Sequence, residues 1–370
     1  MSLISVGSRS RAAVFAIAMA LQTQDDGLTM TVQGRAVHLR EAGTDGPVVV
    51  LESGLGDGLQ VWQKVQREVA AFGQTIAYDR AGLGSSAASS DPRTPVALAK
   101  ELNTLLEALN ARGPFVLVGH STGGLYIRTY AALYPEKVGA LVLVDATPEQ
   151  MGVEFSQRYP DQWALELREL DNAYDASANA VHAEWLAIRT LLQDGVLPLA
   201  DKIPDVPTIS LCARQPSTES SWITTTPDGL ALMQELKEAF PSKQSDAQII
   251  PVMGVGHYIQ LERPEVVVAS IREACRAVQS AERLRTWNGV GFQEYTPAES
   301  PDQSQNEEQR AEAEREPDGD RNDVLEDCTS VQVGRRRLDG AGFQSSVSGG
   351  QNRSASGTYN WAAGSLSESN

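Results

Sequence analysis

The sequence predicts an α/β fold: a mostly parallel, doubly wound sheet with a helical lid insertion, followed by a disordered C-terminal tail. Three observations carry this. Short, continuous apolar runs alternate with longer segments whose apolar residues recur every three or four positions, the pattern of buried parallel strands joined by amphipathic helices. One long stretch, 148–204, breaks the alternation with helical spacing alone. Beyond residue 279 apolar periodicity is lost.

In chain order, 28–32 and 35–40 read as a two-strand N-terminal hairpin. The apolar run 48–51 is a strand leading into Glu52-Ser53-Gly54-Leu55-Gly56, and 74–78 is a second, leading into Asp79-Arg80-Ala81-Gly82-Leu83-Gly84. Leu98, Leu102, Leu105, Leu106 and Leu109 mark an amphipathic helix. The runs 115–118, 140–144 and 208–211 supply further strands, a short one lies around Ile249 and Ile250, and 266–278 closes the domain as a helix. In the 148–204 insertion, Trp163, Leu167 and Leu170, then Trp185, Ile188, Leu191 and Leu192, fall at helical spacing. Its place between two strand ends suits a lid. Trp163, Tyr174 and Trp185 read either as its core or as pocket walls.

The flanks differ in composition. Residues 1–24 hold no acidic side chain, and Arg9 and Arg11 precede an apolar run, 12–21, that ends Ala18-Met19-Ala20. This reads as a secretory signal. An organelle transit peptide or a disordered leader fits the same stretch, which leaves secreted, organellar and cytoplasmic locations open. Ten apolar residues are too few to cross a bilayer, which takes about 20, so no integral membrane segment is expected in the mature chain. At the other end, 299–327 holds twelve acidic residues among Gln, Asn and Pro, and 345–370 is rich in Ser and Gly. Such text cannot bury enough apolar surface to offset chain entropy, so 280–370 is expected to be disordered; an acidic interaction tail is the alternative. The expected catalytic domain is 27–279.

Charge and cysteine content narrow the function classes. With 31 Lys and Arg against 48 Asp and Glu the net charge is −17, of which 281–370 carries 16 acidic residues against 9 Arg. No basic footprint for nucleic acid is present. Cys212, Cys275 and Cys328 are too scattered for a disulfide framework or a zinc site and imply no metal. The expected partner is a small-molecule substrate; nothing in the pattern sets an oligomeric state.

The chemistry-bearing motif is Gly119-His120-Ser121-Thr122-Gly123-Gly124, between the strand 115–118 and a helix, 125–134, stopped by Pro135. A Gly-x-Ser-x-Gly sequence in strand–turn–helix context presents its serine on a sharp, strained turn, where glycines two before and two after avoid collision. The helix N-terminus behind Ser121 offers unpaired N–H groups to a developing oxyanion. The plain alternative is an ordinary Gly-rich turn. A serine hydroxyl needs a base. Of the four histidines, His38 lies in the hairpin, His182 in the insertion and His120 beside the serine, whereas His257 sits in Gly254-Val255-Gly256-His257-Tyr258, a loop just after a strand. Such loops are where α/β sheets place ligand-contacting residues, so His257 is assigned as general base and then acid, against a structural loop histidine.

These pieces, with Gly256-His257 followed by Glu262-Arg263-Pro264-Glu265, resemble the α/β-hydrolase superfamily over roughly 27–279. The resemblance implies a Ser, Asp or Glu, His triad in chain order and an oxyanion hole of two backbone N–H groups, here Thr122 and Leu55. The usual His-Gly pair is replaced by Ser53-Gly54, which spares the backbone donor. In most relatives the acid follows the strand that here is 207–211, yet this chain reads Cys212-Ala213-Arg214-Gln215-Pro216. Some relatives place it after the preceding strand, which selects Asp145; a turn or helix cap is its plain alternative, and Glu219 is the rival acid. Asp79 and Arg80 read mainly as a pair bracing their turn, with pocket contact as the alternative. A serine rather than a carboxylate at the elbow implies acyl transfer, which requires no cofactor, and none is expected. The expected function is cleavage of an ester, or an amide, by an esterase-like serine hydrolase. A ligand-binding or signalling protein on this scaffold, and a cofactor-free haloperoxidase or carbon–carbon hydrolase, are the alternatives.

Overall fold

The structure, a computed structural model, describes residues 27–175, 179–215 and 222–289. The leader 1–26, the candidate acid Glu219 and the tail beyond 289 lie outside the described residues. Eight strands form one sheet: β1 Leu28–Val32, β2 Arg35–Ala42, β3 Val48–Glu52, β4 Gln74–Tyr78, β5 Phe115–His120, β6 Val138–Val144, β7 Thr208–Ala213 and β8 Ala247–Val252. They lie in the order β1-β2-β4-β3-β5-β6-β7-β8. β2 is antiparallel to β1 and β4, and all pairs from β4–β3 onward are parallel.

Side chains alternate across a strand, so each continuous apolar run feeds two cores. Val49 and Leu51 of β3, Val116 and Val118 of β5, and Val142 and Val144 of β6 pack with helix α1 (Gln63–Val69) and the last helix. Val50, Leu117 and Leu141 face the opposite way, onto α2 (Pro95–Ala108) and α3 (Gly123–Leu133). Thr94 starts α2 by accepting from the Ala97 N–H, with Pro95 in the first turn. This burial on both faces fixes the strands in register, and hence the position of their carboxyl ends.

Between β6 and β7 the chain is helical: α4 Met151–Arg158, α5 Pro160–Asp175 and α6 Ala180–Asp194. Trp163 and Trp185 are buried, Trp163 stacking on Phe155 and Trp185 on Tyr174, so the periodicity there marks packing inside these helices. Ile188, Leu191 and Leu192 of α6 join Leu125 and Tyr126 of α3 in one cluster. Helix α7, Pro227–Ala239, lies between β7 and β8. After β8 come α8, Ile259–Glu262, and α9, Pro264–Gly289. The closing helix overruns the expected boundary at 279 by ten residues: Ala281 to Leu284 are exposed, and good helix formers there extend it without core contacts. Similarly, β2 runs to Ala42 because it pairs with β4 up to Thr75. No helix among the described residues is long and apolar enough to cross a membrane.

Candidate active site

The strand order places the carboxyl ends of β3, β5, β6 and β8 around one rim of the sheet. Ser121 follows β5 directly, with φ at 54°, a left-handed conformation that a non-glycine residue rarely adopts. Three hydrogen bonds hold it there. Its N–H donates to Val144 O at 3.2 Å, and its carbonyl accepts from Gly124 and Thr147, both at 3.0 Å. The flanking glycines are required by close approach: a Cβ at Gly119 would lie 2.6 Å from Gly123 O, and one at Gly123 would lie 2.6 Å from Glu52 O.

The loop after β3 closes over this turn. A Cβ at Gly54 would meet Ser121 Cβ at 3.1 Å, so the chain from Gly54 to Leu55 passes directly against the serine. Among the described residues, neither the Leu55 nor the Thr122 amide donates to a protein acceptor. Both donors that the sequence pointed to are thus unspent at this turn.

Asp145, directly after β6, is also left-handed, with φ at 43°. Its Oδ2 lies 2.7 Å from His257 Nδ1. Its Oδ1 accepts from Lys237 Nζ at 2.6 Å and from Ala213 N–H at 2.9 Å. Burial alone would raise the Asp145 carboxyl, but Lys237 and then His257 hold it well below the usual carboxylate range. An ionised carboxylate only accepts, so Nδ1 donates to it, and in a neutral imidazole so held the lone pair lies on Nε2. The His257 side chain is 47% exposed, whereas that of Asp145 is 6%. His120 Nε2 donates to His257 O at 3.0 Å, and the two rings lie 4.6 Å apart, which fixes the histidine loop beside the serine turn. No direct hydrogen bond joins the Ser121 and His257 side chains among the described residues.

A sheet with this strand order, a serine on a strained strand-to-helix turn and a histidine paired to a strand-end aspartate bring the comparisons into focus. A family model described as alpha/beta hydrolase fold matches residues 47–183. The chain has the α/β-hydrolase fold. It is 31% identical over 118 residues to YqjL of Bacillus subtilis, covering 32% of this chain and 47% of that protein. It is 33% identical over 108 residues to an AB hydrolase superfamily protein of Gibberella zeae, covering 28% and 34%. The chain thus spans under half the length of these curated relatives. Among solved structures, DBJA matches over 68% of this chain and 99% of its own, with 15% identity and a TM-score of 0.51, a likeness of fold.

The rim of this fold is reinforced by Arg80, expected to brace its turn, and by Glu52 and Glu184, which pattern reading did not reach. Arg80 is buried with Glu52, Glu184 and the loop carbonyls. Its Nη1 donates to Glu52 Oε1 at 2.7 Å and Ser53 O at 2.8 Å, and its Nη2 to Gly54 O at 2.7 Å and Glu184 Oε2 at 2.9 Å. The expected brace at this turn is therefore also the support of the Gly54-Leu55 loop. Glu184 belongs to α6 and takes a second arginine, Arg93, at 3.0 Å. Asp79 holds the neighbouring loops, accepting from Leu59 N–H at 2.8 Å and Ser85 N–H at 2.9 Å. Asp57, beside His120, is pushed up to about 6 by burial against the pull of His257 and Arg80. The one signal available beforehand was Glu52, a charged residue closing a wholly buried strand. Lys237 had none beyond the Thr226-Pro227 helix start that precedes it. Among the described residues no group of three or more His, Cys, Asp and Glu is gathered that could hold a metal ion.

Proposed function

We propose that the protein is a serine hydrolase that cleaves an ester, or an amide, of a small molecule through an acyl-enzyme intermediate. The observation that carries this reading is the 2.7 Å contact of His257 Nδ1 with buried Asp145, beside a serine held in a left-handed turn. In this reading His257 Nε2 takes the Ser121 proton as Oγ attacks the acyl carbonyl. Asp145 keeps the imidazole in the required tautomer and stabilises the imidazolium without taking its proton. The developing oxyanion is received by the Leu55 and Thr122 amides, each worth roughly 3 to 4 kcal/mol in such sites. His257 then protonates the leaving group. Water, deprotonated by the same imidazole, releases the acid and regenerates Ser121. Helix α6 frames the substrate side, because a Cβ at Gly56 would touch Val181 at 3.3 Å and one at Gly82 would meet Ala180 at 2.6 Å.

The test is covalent labelling by a fluorophosphonate, which phosphonylates an activated serine, alongside turnover of p-nitrophenyl esters of graded acyl length. The folded wild-type protein is expected to be labelled once, and Ser121→Ala not at all, with turnover lowered at least 10⁴-fold. A folded wild-type protein that neither labels nor hydrolyses any ester sinks the enzyme reading in favour of a binding protein on this scaffold.

A further inference from the structure

We infer that Lys237 is a positioning residue for the proposed triad: its ammonium fixes the Asp145 carboxylate and tempers the charge that carboxylate presents to His257. The inference rests on the serine hydrolase reading and adds to it a residue contributed by α7. Lys237 Nζ lies 2.6 Å from Asp145 Oδ1, and its side chain, like that of Asp145, is 6% exposed. A lysine this deep is rare without a partner, and here the partner is the group that orients His257. With the Ala213 N–H, the ammonium saturates Oδ1 and leaves Oδ2 for the imidazole. Rotation of the carboxylate would break both Oδ1 bonds at once.

The second consequence is electrostatic. When Ser121 gives up its proton, the imidazolium that forms is attracted by Asp145 and repelled by Lys237 through the same carboxylate. Removing the ammonium leaves the full carboxylate charge facing the ring and makes the imidazolium easier to form. The neutral, reactive ring then requires a higher pH. Other groups face this pair. His120 on β5 is held neutral by burial and by the charge of His257. Cys212 on β7 is pushed up by burial. Arg214, just after β7, pairs with Glu238, and Arg128 on α3 pairs with Glu149. Tyr258, beside His257, is pushed up by burial. Asp57, pushed up to about 6 by burial, is neutralised alongside in the experiment.

The experiment measures the rate of fluorophosphonate labelling against pH for wild type, Lys237→Gln, Lys237→Met and Lys237→Arg, each also with Asp57→Asn. Gln keeps a donor and removes the charge. The acid limb is expected to move up by about one pH unit in the neutral variants, with the plateau rate down about tenfold. Lys237→Arg is expected to hold the limb within about 0.3 unit of wild type, since it keeps the cation. A folded Lys237→Gln with the wild-type limb and rate overturns the inference. So does a Lys237→Arg limb displaced as far as that of Lys237→Gln. Neutral variants that do not fold beside an Arg variant that does would assign Lys237 to stability alone, again overturning it. Absence of labelling in folded wild type strikes the serine hydrolase reading instead. The His257 ring titration, followed by NMR and assigned with His257→Asn, then still reads the shift between wild type and Lys237→Gln.

Discussion

The two halves of the candidate site are built in opposite ways. Ser121 and Asp145 each sit one residue beyond a central strand, and each is left-handed. The serine half is local, its shape set within Gly119 to Gly124 by glycines that could bear no side chain, with the β3 loop laid over them. The acid half is assembled from afar. Ala213, Lys237 and His257 converge on one carboxylate from 68, 92 and 112 positions away in the chain. A turn of six residues thus presents Ser121, whereas the Asp145 carboxylate is held by three pieces distant in the chain.

The largest effect expected from breaking this contrast is on the acid side. Asp145→Asn keeps the shape but offers the imidazole an amide that can donate, so the tautomer inverts and the lone pair leaves Nε2. Ester turnover is expected to fall about 10⁴-fold, with the fold retained by circular dichroism. If Asp145→Asn turns over within tenfold of wild type while Glu219→Gln is dead, the acid is Glu219 and Asp145 is a strand-end turn residue.

A smaller effect is expected on the loop that covers the serine. Glu184→Gln removes one of the two carboxylates that hold Arg80 and one of the two that hold Arg93, the other being Glu101, leaving both arginines short of a buried counter-charge. Breaking such a pair from one side costs about 3 to 5 kcal/mol, readable as a lower urea midpoint at unchanged slope. The Ser53 and Gly54 carbonyls keep their own bonds to Arg80, so turnover is expected to fall only about tenfold. A loss as large as that of Asp145→Asn would instead make α6 part of the catalytic rim.

The same contrast explains what the sequence revealed. The strands, the elbow and the histidine loop were legible because each is encoded in a short window: an apolar run, two glycines at fixed offsets, a glycine-flanked histidine after a strand. Asp145 was legible only as a choice among acids, since its bond to His257 spans two strand ends. Lys237 and Glu184 were not legible as partners of Asp145 and Arg80, because helical spacing marks a side of a helix but not the residue that lies across from it. Glu184 shares the face of Ile188 and Leu191, four and seven positions on, and there it meets Arg80. Helix α9 outran its expected end for a related reason: exposed helix formers extend a helix with no core pattern to announce it.

The smallest effect, and the one that separates the two halves most finely, concerns Asp57. Lys237 and His257 hold the Asp145 carboxyl down, whereas burial pushes Asp57 from an ordinary 3.8 up to about 6, outweighing His257 and Arg80. A carboxyl whose folded value lies above its unfolded one binds its proton more tightly in the folded state. Its contribution to stability is therefore fully present below about pH 4 and is lost as pH rises through about 6. Above that, the folded chain carries a buried carboxylate at a cost of about 2 to 3 kcal/mol. Asp57→Asn removes the charge and keeps the shape. Its urea midpoint is expected to exceed that of wild type at pH 7.5, with the difference shrinking to near zero at pH 4. A difference that stays constant across this range would show that burial does not tax the Asp57 charge, and would leave the two carboxyls of the rim electrostatically alike.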